Sequence, residues 1–202
     1  MEINGRGVGL CPSRVIRIIV LGAGPSGLLL AYKILRDLSS LQLQVFEKNA
    51  DVAGTWHENQ YPGCASDLPA LNYTYTFAPR YDWSSSYGCS AEIRDYFVDF
   101  CDKHDLRKYI STQNKIRGAR WLGEDYCWQV EVEDLRSGAR HSHECDIFIN
   151  AGGYLNTVKI PQVPGIDLFQ GTLVHSAAWH EEVRVEGKNV ALIGNRYEIL
   201  DA

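Results

Sequence analysis

The chain has 202 residues, 45% of them hydrophobic and 22% charged, with a formal net charge of -5. Such a chain can bury one large core, or one domain and part of a second, and its acidic balance excludes the nucleic-acid binders, which carry a basic patch or stripe. Its six cysteines, at 11, 64, 89, 101, 127 and 145, never fall at C-x-x-C spacing, which excludes a zinc ribbon or a dense disulfide framework and suits reduced thiols in the cytoplasm.

Residues 1–14 ("MEINGRGVGLCPSR") lack the apolar core of a secretory signal and read as a flexible N-terminus. Residues 15–21 ("VIRIIVL") are a continuous β-branched apolar run, the pattern of a parallel strand covered on both faces. A glycine turn and a helical pattern, "SGLLLAYKILRDL", follow. The stretch from Val15 to Leu35 has nearly the length of a membrane span, but Arg17 and the cluster Gly22-Gly24-Pro25-Gly27 divide it into strand and helix, so no membrane segment is expected. "LQLQVFE" (41–47) alternates and then becomes apolar, a second parallel strand that completes a βαβ unit.

Residues 48–89 are rich in Gly, Pro, Asn, Ser and aromatics and have little periodicity. A segment of that length inside a compact domain generally serves a binding site. The tyrosines and tryptophans of 73–87 either line a ligand pocket or pack beneath the loop. "SAEIRDYFVDFCDKHDL" (90–106) predicts an amphipathic helix with Ile93, Tyr96, Phe97, Phe100 and Cys101 on one face. Ser90 is its expected N-cap, with Lys103 and His104 complementing the C-terminal dipole. "KIRGARWL", "YCWQVEVEDL" and "ARHSHE", joined by turn signals, predict an antiparallel meander, after which "DIFINAGG" returns to the buried parallel sheet. His141 and His143 alternate along one strand; without a third ligand at a recognised spacing, a solvated strand face is expected rather than a metal site. A proline-bearing connector leads to "NVALIG" (189–194), which has the form of another first strand.

Gly22, Gly24 and Gly27 stand in G-x-G-x-x-G spacing, with Pro25 and Ser26 between them, after a strand and at the start of a helix. In that context the first glycine allows the turn, the second lets backbone approach a pyrophosphate, and the third lets helix and strand pack closely. The helix N-terminus adds N–H donors and partial positive charge. Glu47 follows Gly27 by twenty residues, at the end of the second strand and just before Lys48. An acid there accepts a ribose 2′-hydroxyl and repels a 2′-phosphate, so the motif suits FAD or NAD better than NADP. The meander inserted before the sheet resumes is unlike a plain NAD dehydrogenase and resembles the two-dinucleotide-binding flavoproteins, a resemblance that favours FAD.

Two further segments narrow the family. "AGTWHENQYPGCASD" (53–67) reads [A/G]-G-x-W-x4-Y-P-G-x3-D, and "FQGTLVHSAAWH" (169–180) reads F-x-G-x3-H-x3-W. Both resemble signatures of the type I Baeyer–Villiger monooxygenases, relatives of the flavin-containing monooxygenases. Trp179 favours the Baeyer–Villiger branch; His180 departs from its usual Pro or Asp. The resemblance runs from about Val15 to Gly194. It implies a Rossmann-like α/β fold of the two-dinucleotide-binding flavoproteins, a parallel sheet plus an antiparallel β-meander, incomplete at the C-terminus. It implies an FAD-binding portion over 15–154, a linker over 155–188 bearing the fingerprint Phe169, Gly171, His175 and Trp179, and the start of an NADPH domain over 189–202.

The resemblance further implies an oxidoreductase in which NADPH reduces FAD, oxygen is held as a flavin C4a-peroxide, and a ketone becomes an ester or lactone. Gly54, Thr55 and Trp56 match the loop along the flavin, and Tyr61 belongs to the same signature. Ile116 matches the residue whose backbone meets the adenine, or is an ordinary strand residue. Asp67 matches the carboxylate that orients an arginine near the reacting oxygen; the other reading is a turn residue in a Pro-Gly-rich loop. His175 couples domain movement in the family, or is structural here. The second glycine turn reads Gly194-Asn195-Arg196-Tyr197-Glu198, with Arg196 where a glycine belongs, so no NADPH site is expected there. The chain thus reads as truncated, with impaired activity alone. The alternative is a non-catalytic FAD-binding remnant or a partner-binding module, and a complementing chain is a third option. Steroid, terpenoid or polyketide ketones are the conceivable substrates.

Overall fold

The computed structural model describes residues 14–154, 157–180 and 182–194. Residues 1–13, expected as a flexible N-terminus, and 195–202, which carry most of the second glycine turn, lie outside the described residues.

β1 (Ile16–Leu21), helix α1 (Pro25–Asp37) and β2 (Leu41–Phe46) form the expected βαβ unit, with β1 and β2 parallel and Leu21 level with Phe46. Pro25 opens α1 at a position where its missing N–H costs nothing. A short helix α2 (Thr55–Glu58) and helix α3 (Ser90–Lys103) follow. β3 (Ile110–Ser111) adds to the far side of β2. β4 (Asn114–Leu122), β5 (Cys127–Asp134) and β6 (Arg140–Cys145) then make the expected antiparallel meander. β7 (Ile147–Asn150) returns to pair parallel with β1, giving the sheet order β3-β2-β1-β7.

The parallel sheet is covered on both faces, which is why β1 is apolar from Ile18 to Leu21. Ile18, Val20, Leu43 and Val45 pack with Leu28 and Ala31 of α1 and with Ile93, Phe97 and Phe100 of α3. Ile19 and Phe46 face the opposite way, onto Val130, Val132 and Cys145 of the meander. Arg17 ties the layers at one corner: its backbone N–H donates to Asp146 at 2.8 Å, and its guanidinium also reaches Asp146 and Glu144.

Three expectations are corrected. Cys89, not Ser90, is the N-cap of α3. Ser90 sits one position inside, and its hydroxyl donates to the carbonyls of Trp56 and Asn59 at the end of α2. Its single proton is shared between the two carbonyls, with the shorter contact, 2.8 Å, to Asn59 and 3.3 Å to Trp56, and is thus engaged outside its own helix. His104 is weakened as a C-terminal cation. It lies against the Tyr32 and Phe100 rings, and burial, aided by Lys103, lowers its pKa below the ordinary imidazole value. Finally, Val190–Ile193 form no strand; Val190, Leu192 and Ile193 are more than half exposed. A strand needs a neighbour to satisfy its N–H and C=O groups, and among the described residues none pairs with this run.

Candidate functional site

The sheet order makes β1 the strand from which the chain leaves toward β2 on one side and to which it returns through β7 on the other. Ligands of open α/β sheets bind in the crevice beyond the carboxyl ends of the strands at such a switch point. A cleft of about 690 Å³ lies there. Leu21 and Gly22 after β1, Phe46 and Glu47 after β2, and Ala151, Gly152 and Gly153 after β7 all contribute to its walls.

Twelve of the thirteen residues assigned from sequence to the nucleotide and flavin contacts line this cleft. Gly22, Gly24, Pro25 and Ser26 come from the glycine turn, and Glu47 and Lys48 from the end of β2. Gly54, Thr55, Trp56, Tyr61 and Asp67 come from the long loop, and Ile116 from β4, where a register shift follows it. The thirteenth, Gly27, is buried beneath the turn.

The three glycines of the turn stand under different constraints. Gly22 has φ +94°, and a Cβ there would come within 2.9 Å of the Ala151 carbonyl oxygen. At Gly27 a Cβ would sit 1.9 Å from the Gly22 carbonyl oxygen, an impossible overlap with backbone. Gly24 is different. Its φ of -72° suits any residue, and a Cβ would meet only Gly54, at an ordinary 3.5 Å. The protein itself therefore does not demand glycine at 24. Gly54, with φ +54° and a Cβ that would stand 2.9 Å from Gly24 Cα, lets the long loop approach the turn closely. Ala53 beside it holds φ +82° without being glycine, which is a strained backbone.

Glu47 is 3% exposed, and both of its carboxylate oxygens accept backbone N–H bonds, from Ala23 at 2.7 Å and from Asn49 at 2.9 Å. A carboxylate offers about four acceptor positions, so capacity remains for a ligand hydroxyl. Glu58 accepts from the Asn49 side-chain amide and pairs with the Lys48 ammonium, each at 2.8 Å.

Asp67 is exposed and lines the cleft. The buried Ser66 hydroxyl accepts the Leu68 N–H and donates to the Leu68 carbonyl, a local turn that clamps the peptide on either side of Asp67. Tyr73 also lines the cleft, edge-on to Trp56 at 4.9 Å, and burial followed by the charge of Asp67 raises its phenol pKa. The other aromatics of the loop mostly pack rather than line the cleft. Tyr75 stacks on Phe77 and meets Phe97 and Phe100, and Trp83 lies against Tyr96.

A family model described as FMO-like, flavin-binding monooxygenase-like, matches residues 15–198. The chain belongs to this family. The FAD-binding monooxygenase TazF of Aspergillus terreus is 37% identical over 96% of the chain and 34% of its own length. A Baeyer–Villiger monooxygenase of Streptomyces coelicolor is 32% identical over 89% of the chain and 33% of its own length. Among solved structures, the open form of cyclohexanone monooxygenase superposes with a TM-score of 0.72 at 28% identity, covering 85% of this chain and 33% of that one. OTEMO in complex with FAD and NADP gives a TM-score of 0.72 at 29% identity, over 84% and 31%. The chain thus spans about a third of the length of the flavin-binding monooxygenase relatives it matches. Their fold is the Rossmann-like flavoprotein fold expected from the sequence.

The fingerprint residues of this flavin-binding monooxygenase-like chain stand apart from the cleft lining. Phe169 is 60% exposed and covers Gly171, where a Cβ would meet its ring at 2.4 Å. His175 Nδ1 accepts the Ala177 N–H at 3.1 Å and caps the single helical turn Ser176–Ala178, which Trp179 follows. His143 packs on Phe46, and no group of three or more metal-ligating side chains occurs among the described residues. No helix among them is long and apolar enough to cross a membrane. The sequence did not single out Glu58, Asn59 or Ser66, which lie inside the quoted signature at positions where the family pattern leaves the residue free. Of the aromatics of 73–87, for which pocket lining and packing were both open, Tyr73 lines the cleft.

Proposed function

We propose that the cleft binds FAD and that the chain forms the FAD-binding portion, residues 15–154, of a Baeyer–Villiger-type monooxygenase acting on a ketone. The observation that carries this reading is Gly24: the fold does not need glycine there, while a ligand pressed against the turn does. The free N–H groups at the start of α1 would hold the diphosphate, and the spare acceptor capacity of Glu47 would take the ribose hydroxyl. Gly54, Thr55 and Trp56 would lie along the flavin, and the backbone at Ile116 beside the adenine. Bound flavin supplies the redox chemistry and the activation of oxygen. Asp67, held by the Ser66 turn, would orient a cationic group near the substrate through charge-assisted hydrogen bonds. Phe169 to Trp179 belong in this reading to the linker, residues 155–188, toward a nicotinamide domain of the whole protein. NADPH is the proposed reductant of the whole protein; the turn from Gly194 to Glu198, at which Arg196 argues against an NADPH site, lies outside the described residues after Gly194. The five described cysteines, all free, are in keeping with a cytoplasmic protein.

Titration of FAD with the purified chain, read by flavin fluorescence, tests the reading. We expect stoichiometric binding by the native chain. Gly24→Ala should keep its unfolding midpoint within about 1 kcal/mol yet lose about tenfold or more in FAD affinity. A folded native chain indifferent to excess FAD, or a Gly24→Ala variant that binds as well as the native one, would overturn the proposal.

A further inference from the structure

We propose that Glu58 is a specificity-determining residue, which reserves the ribose end of the cleft for a free 2′-hydroxyl by holding the Lys48 ammonium in an ion pair. This inference rests on the reading of the cleft as an adenine-dinucleotide site.

An acid at the end of the second strand accepts a ribose 2′-hydroxyl, whereas sites for 2′-phosphorylated dinucleotides place a cation nearby. This chain carries both: Glu47, and directly after it Lys48, and both line the cleft. Taken alone the pair is ambiguous, because Lys48 could neutralise a 2′-phosphate that Glu47 repels. Glu58 resolves the ambiguity. Its Oε1 lies 2.8 Å from Lys48 Nζ, and the Glu58 side chain is 19% exposed, against 32% for that of Lys48. The same Oε1 accepts the Asn49 side-chain amide at 2.8 Å, which fixes the carboxylate's position. Asn49 in turn donates its backbone N–H to Glu47. The two acids and the lysine are thus one connected group, which carries one positive charge and two negative. A 2′-phosphate entering there would have to break the Lys48–Glu58 pair and face both carboxylates. Lys115 also lines the cleft, from β4.

Glu58→Gln is the informative variant. The amide removes the charge but keeps an oxygen that can accept from Asn49. The probes are ADP-ribose and 2′-phospho-ADP-ribose, which differ only in the phosphate, titrated into the full chain by calorimetry. We expect the native chain to prefer ADP-ribose, and Glu58→Gln to narrow that preference by about three- to tenfold, mainly through tighter binding of the phosphorylated probe. Combining Lys48→Ala with Glu58→Gln should restore the preference, since the freed cation is the agent. An unchanged ratio in Glu58→Gln, with ADP-ribose still bound, overturns this inference and leaves the dinucleotide site standing. Equal loss of both probes assigns Glu58 a merely structural role and also overturns it. A native chain that binds neither probe removes the dinucleotide reading, and this inference with it.

Discussion

Two stretches of this chain look alike on paper: "IRIIVLG", ending at Gly22, and "NVALIGN", running through Gly194. The first is a strand whose Ile18, Ile19 and Val20 are at most 4% exposed. The second is irregular, with Val190, Leu192 and Ile193 between 54% and 65% exposed. Local pattern is the same; neighbours are not. β1 has β2 and β7 hydrogen-bonded on either side, α1 and α3 over one face and the meander over the other. An apolar run followed by glycine is thus an invitation to form a strand, and tertiary partners decide whether it is taken up.

The largest effect that would test this contrast is expected beneath the first glycine turn. Gly27→Ala drives a methyl into the Gly22 carbonyl and should cost about 3 kcal/mol or more, or prevent folding, as read by urea unfolding. A near-native midpoint would mean that the turn is far more pliable than described. Next, Ile18→Ala should cost about 2–5 kcal/mol, while Ile193→Ala should stay within about 0.5 kcal/mol. Comparable costs at the two sites would show that the second run is buried in solution and would erase the distinction.

Burial on the helical side of the sheet also leaves a mark on titration. His104, pressed against Tyr32 and Phe100, has its folded pKa lowered, first by burial and then by Lys103. The folded state therefore binds this proton less readily than the unfolded chain. The associated stability is complete above the ordinary value of about 6.5 and is lost as pH falls through the folded pKa. His104→Gln should flatten the dependence of thermal midpoint on pH between about 7.5 and 5, and an unchanged slope would place the imidazole in water. The smallest effect concerns Ala53, at φ +82° beside Gly54. Ala53→Gly relieves strain but frees the unfolded chain, for a net gain of about 0.5 kcal/mol; a clear loss would show that its buried methyl outweighs the strain.

Much of the site was legible because the constraints on it are short-range. Gly22, Gly24, Gly27 and Glu47 are fixed by one βαβ unit, and a spacing rule captures that unit. Trp56, Tyr61 and Asp67 were found through a family signature, and they line the same cleft as the glycine turn. Glu58 was passed over because its significance lies in contacts with Lys48 and Asn49, across a loop whose path has no periodicity to read. Ser90 was misplaced for a related reason. Its residue type suits a cap, but two carbonyls at the end of α2 claim its hydroxyl.

The sequence by itself determined the order of elements, the parallel and antiparallel character of the two sheets, and the glycine turn at which the cleft begins. Those features follow from side-chain periodicity and backbone sterics, which act within a few residues. The tertiary structure alone decided which glycines the fold demands, how Lys48 is paired, and whether a second apolar run becomes a strand. Each of these depends on atoms brought together from distant parts of the chain, and no local pattern encodes their meeting.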